Sequence, residues 1–263
     1  MSPLGLIVTI AAVAGAFAWI ASLLTRDTSW IDRLWSILPE TYVWVVATSD
    51  HLRDARLDVL AVLTTLWGLR LTFNFARKGG YRGVEDYRWA ELRTTMSPAL
   101  FQVVNLVFIV TTQSALLVAI ALPALVARDH PHPWRPLDTV LAALFLAALV
   151  GETVADEQQW RFHQRKHRGE TERPFLTEGL FRYARHPNYF FELAQWWLVY
   201  VMGAAGAGVA GWWALVGPVA LTALFVGSTR FTESISASKY PDYATYRRTT
   251  SPIVPWRPRR QSS

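Results

Sequence analysis

Tyr183-Ala-Arg-His-Pro-Asn-Tyr189, followed by Glu192, stands where a basic loop enters an apolar stretch. Pro187 suits the first turn of a helix, where its missing N–H costs nothing. Asn188 and Glu192, four residues apart, then share one helical face. The free N–H groups and positive dipole end of such a helix favour an anion presented by the loop. Tyr183, Arg185, His186, Asn188 and Glu192 are therefore candidate ligand contacts. The same string reads equally well as an interfacial anchor, with Arg185 and His186 at headgroup level and Tyr189 in an aromatic belt.

Four more clusters carry chemistry. Glu152 and Asp156, four apart at the end of an apolar helix, are expensive near hydrocarbon unless paired or wet. Arg70, with Asn74 one turn on, is a natural partner for that charge, and a structural ion pair is the plain alternative. Arg77-Lys78-Gly79-Gly80-Tyr81-Arg82-Gly83 leads to Glu85-Asp86-Tyr87-Arg88-Trp89. Arginine forks and glycine-permitted backbone approach suit a phosphorylated ligand, and a charged turn against anionic lipid is the other reading. His163 and His167 have metal-ligand spacing, but Arg161, Arg165, Lys166 and Arg168 around them oppose a divalent cation, so no metal is expected. Near the C-terminus, Tyr243, Tyr246, Arg247 and Arg248 read as a ligand cover or as a helix on the membrane surface.

The elements that must hold these residues are membrane helices. The chain has 263 residues, 52% hydrophobic, and residues 4–24 carry no charge. Such a run crosses a hydrocarbon core of about 30 Å as a helix. No Lys or Arg precedes it, which disfavours a cleaved signal peptide. Further spans are predicted near 34–48, 57–76, 99–127, 137–158, 188–203 and 209–228. The fold class is thus all-α, a bundle of about seven transmembrane helices. Segment 34–48 is short and holds Pro39 and Glu40, so a broken or re-entrant helix is expected there. The 99–127 run is long enough to tilt or kink, with Pro123 near its end.

Seven spans with the N-terminus outside put 21 Lys and Arg on the cytoplasmic side and 4 outside, leaving Arg70 within a span. This is the asymmetry that the positive-inside rule demands. It assigns the net charge of +6 to cytoplasmic loops and membrane lipids rather than nucleic acid. Cysteine is absent, which excludes disulfides, thiolate catalysis and Cys-ligated metal. The expected organisation is a first helix over 1–29, a membrane domain over 30–255 and a disordered basic tail over 256–263. The expected location is multi-pass, in an inner (plasma) membrane.

The string GLFRYARHPNYFFE resembles the motif shared by steroid 5-alpha reductases, sterol reductases and isoprenylcysteine carboxyl methyltransferases. DRLWSILP (32–39), RLTFNFARKGGYRGVEDYRW (70–89), ETVADEQQWRF (152–162) and the Tyr-rich C-terminal segment together look like an uncharacterised bacterial branch of steroid 5-alpha reductase-like proteins, over most of the chain from residue 30. The resemblance implies a seven-helix enzyme that holds NADPH in cytoplasmic loops and helix ends. It implies cofactor-binding roles for Arg70, Asn74, Arg77, Glu152, Asp156, Arg165, Tyr183, Arg185, His186, Asn188, Glu192, Tyr243, Tyr246 and Arg247. Steroid 5-alpha reductases carry Gln-Glu before Leu-Pro on the second helix, and a Tyr three residues before the position of Arg70. This chain has Ser36-Ile37 and Trp67 there. The cofactor half of the resemblance survives and the steroid-binding half does not.

Reducing an activated C=C bond needs a hydride at one carbon, a proton at its neighbour and stabilisation of the developing enolate oxygen. Asp32, Tyr81 and Tyr87 are the catalytic candidates for the last two tasks, with Arg33 and Trp35 beside them. The expected function is NADPH-dependent reduction of a lipid-like substrate, steroid or isoprenoid in character. The alternatives are an S-adenosylmethionine-dependent membrane methyltransferase, and a non-catalytic membrane protein or transporter.

Overall fold

The computed structural model describes residues 1–204 and 207–258, so the expected basic tail lies, from residue 259 on, outside the described residues. The described chain is helical, with one isolated β-bridge, Ala184 to Ser251. Five helical stretches are long and apolar enough to cross a membrane: Pro3–Thr25, Ala55–Arg77, Pro98–Asp129, Pro136–His167 and Gly211–Lys239. The protein is a multi-pass integral membrane protein. Two expected spans fall short of that measure. Leu38–Ser49 has 12 residues, a rise of about 18 Å at 1.5 Å per residue. Pro187–Ala204 has 18 residues and Gln, Glu and Asn among its apolar ones.

The chain divides into two compact units. The first comprises Met1–Ala142 and Leu198–Leu221. It contains α1 (Pro3–Thr25), α2 (Trp30–Leu34), α3 (Leu38–Ser49), α4 (Ala55–Arg77), α5 (Tyr87–Thr94), α6 (Pro98–Val104) and α7 (Gln113–Asp129). Helix starts follow local chemistry. Ser2 caps α1 by accepting from the Gly5 N–H, and Asp54 caps α4 by accepting from Arg56 and Leu57. Between α6 and α7 the backbone is π-helical over Asn105–Thr112, and Thr112 Oγ1 donates to the Val107 carbonyl 2.8 Å away. The irregularity expected in this run lies here, and α7 continues through Pro123. Asn105 Nδ2 donates to Ser22 Oγ of α1 at 2.9 Å.

Glycines let backbones approach α7. A Cβ on Gly203 would overlap the Pro123 carbonyl oxygen, and one on Gly217 would overlap that of Ala119. Without a hydrophobic drive between helices in lipid, such close packing is what associates them. Arg56, fully buried at the start of α4, donates to the Ala127 and His130 carbonyls at 2.7 and 2.9 Å. This fastens α4 to the end of α7.

The second unit comprises Ala143–Trp197 and the chain from Thr222 on. It holds most of α8 (Pro136–His167), the first part of α9 (Pro187–Ala204), most of α10 (Val216–Lys239) and α11 (Tyr243–Thr249). With 32 residues, α8 is about 48 Å long, more than a hydrocarbon core of about 30 Å requires. Its charged last turns, Gln158 to His167, are the surplus.

Candidate functional site

In the second unit α8 and α9 meet through a polar seam. Gly151 makes room for the Phe191 ring, where any side chain would overlap it. One residue on, Glu152 Oε2 accepts from Gln195 Nε2 at 2.6 Å. Glu152, Asp156, Glu192 and Gln195 are all buried, the last with no exposure at all. Gln195 Nε2 is also shared with the Phe191 carbonyl at 3.1 Å. Its Oε1 is buried with no hydrogen-bond partner, and an orphaned buried acceptor calls for a ligand or water donor. Asn188 stands half-buried in the first turn of α9. The stripe Asn188, Glu192, Gln195 repeats at helical spacing, a signal that sequence reasoning followed only as far as Glu192.

The motif before α9 is clasped by the C-terminal segment. Arg185 N donates to the Ser251 carbonyl at 2.8 Å, His186 N to that of Pro252 at 2.9 Å, and Trp256 N to that of Tyr183 at 2.9 Å. The Arg185 fork closes on Glu233, Nε to Oε1 at 2.6 Å and Nη2 to Oε2 at 3.0 Å. Its Nη1 donates to the Arg247 carbonyl at 2.9 Å and to that of Thr250. His186 Nε2 lies 3.2 Å from Glu233 Oε1, and the His186 ring stacks on Tyr189. Arg247 reaches the same carboxylate at 3.4 Å, and its own side chain is half exposed. Glu233, a lone acid deep in α10, is thus the hub that gathers Arg185, His186 and Arg247. Nothing in the sequence singles it out, because its partners come from loops far along the chain.

Tyr243 and Tyr246 are buried and pack on Phe175, Tyr246 stacked at 5.4 Å and Tyr243 edge-on at 5.0 Å. The Tyr246 hydroxyl donates to the Phe181 carbonyl, and burial pushes its ionisation far above the usual range. Arg165 is exposed and lies 4.0 Å from Glu178, while Tyr183 has an exposed side chain. Among the described residues no three His, Asp or Glu side chains gather as metal ligands.

In the first unit, the loop after α1 is joined to the loop after α4. Arg33 bridges Asp27 and the Gly80 carbonyl, the latter at 2.9 Å. Tyr81 OH donates to the Arg33 carbonyl at 3.2 Å. Arg93 binds Glu85 and Thr28. Gly79 and Gly83, at φ 88° and 80°, bracket the 3-10 turn that carries Tyr81. Tyr87 opens α5 with an exposed side chain, and Trp35 follows α2. Asn74, buried on α4, accepts from Arg77 Nε at 3.0 Å, and Arg77 lies over the Phe73 ring. Arg70 sits two turns before the end of the same helix.

Asp32 accepts from Trp89 Nε1 at 2.8 Å, beside a cluster of Ala18, Ile31, Trp89 and Ile109. Burial raises its carboxyl to about 6, and Asp86 adds to this against the opposing pull of Arg88 and of hydrogen bonds from Trp89 and Ser29. A folded-state value above the unfolded one means that the fold favours the protonated acid. The stabilisation is complete below about pH 4 and is lost as pH rises through about 6, on the order of 3 kcal/mol in all. Asp32→Asn should therefore flatten the fall in thermal midpoint between pH 4 and 7. An unchanged pH profile in that variant would show that Asp32 ionises as freely folded as unfolded.

A family model described as protein of unknown function (DUF1295) matches residues 18–250, from α1 through α11. The chain belongs to the DUF1295 family. The match includes both the Glu233 hub and the Asp32 loop pair. An uncharacterized protein of Schizosaccharomyces pombe is 33% identical over 255 residues, covering 89% of this chain and 74% of the yeast protein. No solved structure matches the chain.

Proposed function

We propose that this DUF1295 protein is a membrane-embedded reductase that uses NADPH to saturate an activated C=C bond in a lipid-like substrate. The observation that carries this is the buried seam of Glu152, Asp156, Glu192 and Gln195, with half-buried Asn188 in the first turn of α9. Carboxylates and amides buried between apolar helices are costly unless they serve a polar ligand or one another. Their acceptors suit ribose hydroxyls and a carboxamide NH₂, and the orphaned Gln195 Oε1 wants a donor of that kind. Arginines at the rim suit phosphates. The residues present therefore fit the cofactor, which would supply the hydride when bound.

On this reading Asn188, Glu192 and Gln195 orient the nicotinamide end, while Arg165 and Arg247 face the phosphates. The Arg185–Glu233 fork holds the loop in place and, with the Arg247 and Thr250 carbonyls, occupies four of the five N–H groups of Arg185. Helices α3 and α9 complete a seven-helix bundle with the N-terminus outside and the C-terminus cytoplasmic, the arrangement that gives the 21-to-4 split of basic residues.

Thermal unfolding of the purified protein in detergent tests this. A ligand at about 100 times its Kd adds about 2.7 kcal/mol of apparent stability. NADPH should raise the midpoint, S-adenosylmethionine should not, and Asn188→Ala or Glu192→Ala should remove the effect while leaving the unliganded midpoint near wild type. Stabilisation by S-adenosylmethionine alone would establish the methyltransferase reading instead.

A further inference from the structure

A cavity of about 430 Å³ lies in the second unit, lined by Phe175, Thr177, Arg182, Asp242, Tyr246 and Thr249 among others. That volume lies in the range of small-molecule sites. Its walls combine an aromatic pair, hydroxyls, one acid and one guanidinium.

The backbone that presents Arg182 is pinned on both sides. Gly179, at φ 60°, lies against the Gln158 amide, and Leu180 N donates to Gln158 Oε1 at 2.9 Å. The Phe181 carbonyl takes the Tyr246 hydroxyl, and the Tyr183 carbonyl takes the Trp256 N–H. Between these anchors the Arg182 side chain is exposed and, among the described residues, meets no carboxylate. Its neighbours differ. Arg168 is paired with Glu170, Arg173 and Arg165 with Glu178, and Arg185 and Arg247 with Glu233. A fixed backbone and a fork without a carboxylate partner make Arg182 the guanidinium of this cavity that is available to a phosphate.

We infer that this cavity takes the adenosine 2′-phosphate end of NADPH, with Arg182 gripping the phosphate and setting the preference for NADPH over NADH. The inference rests on the reductase reading. The stacked Phe175–Tyr246 pair offers an aromatic edge to the base. The Thr177 and Thr249 hydroxyls suit ribose and phosphate oxygens. Asp242, an acceptor, suits the adenine amine. An arginine fork holds a phosphate bidentately, which a lysine cannot reproduce.

Binding of NADPH, NADH, adenosine 2′-monophosphate, inorganic phosphate and phosphatidylglycerol to the full-length protein in detergent tests this, with Arg182→Ala and Arg182→Lys beside wild type. Loss of a charge-assisted pair of about 1.5–3 kcal/mol corresponds to roughly 10- to 100-fold. Arg182→Ala should weaken NADPH and adenosine 2′-monophosphate by that factor and leave NADH unchanged, so that the coenzyme preference disappears. Arg182→Lys should restore part of it. The side chain is exposed, and an unliganded thermal midpoint equal to wild type checks that either variant folds. Tight NADPH binding that survives Arg182→Ala overturns this inference and leaves the reductase reading standing. No binding of NADPH to wild type overturns both. Equal competition by inorganic phosphate or phosphatidylglycerol shows a general anion or headgroup site and also overturns it.

Discussion

Glu233→Ala should cost about 3–5 kcal/mol and free the C-terminal segment from the Tyr183–His186 segment. Its carboxylate is 4% exposed and holds the 7% exposed Arg185 through two hydrogen bonds. Removing one partner of a buried ion pair leaves the other charge uncompensated, which is the source of that cost. Arg185 would be left with only the Arg247 and Thr250 carbonyls, and His186 and Arg247 would lose the same carboxylate. The expected signs are a lowered thermal midpoint and early proteolysis after residue 239, where α10 ends. Glu233→Gln keeps the shape and should fall between. A Glu233→Ala protein as stable and protease-resistant as wild type would show that the segment is held by its backbone bonds alone.

The second large effect concerns the first unit. Gly217→Ala places a methyl group onto the Ala119 carbonyl oxygen and 2.9 Å from the Ile120 Cα. These are backbone atoms of a helix, which cannot turn aside as a flexible side chain can. Overpacking of a fitted core costs roughly 1–3 kcal/mol, and a backbone obstacle belongs at the upper end. Gly203→Ala, against the Pro123 carbonyl, should behave alike. Gly227 is the control: nothing lies within 4 Å of its added Cβ, and alanine there should gain up to about 1 kcal/mol of helix propensity. Thermal midpoints of the three variants decide it. Equal midpoints would mean that α7 is not closely packed by glycines.

The sequence expectations lay in short strings of residues, and the structure distributes the contacts of those residues differently from the strings. Arg185 stands inside the most recognisable motif, yet its guanidinium is closed on Glu233 and two carbonyls. Arg182, three residues earlier in the same string and given no role there, is the one that faces a cavity. Tyr243 and Tyr246, read as a ligand cover or as a membrane-surface helix, are packed on Phe175, and Tyr246 lines that cavity. Asp32 illustrates the same point in the first unit. Its residue type marks it as an acid, but its raised proton affinity comes from the apolar cluster around Trp89, 57 residues away.

What the amino-acid order determined by itself is what depends on near neighbours and on bulk solvent preference. Charge-free runs define the long helices because a backbone in lipid must satisfy its own hydrogen bonds. Prolines at 3, 98, 136 and 187 and the caps Ser2, Asp54, Asp86 and Ser97 set where helices begin. The spacing of Glu152 with Asp156, and of Asn188 with Glu192, put polar groups on single faces. Only the tertiary structure decided which of those groups pair with protein and which face a space. The Glu233 hub, the orphaned Gln195 oxygen and the Arg182 cavity all arise from contacts between residues tens of positions apart. Local propensity does not encode such pairings, because each depends on where a whole helix comes to rest against another.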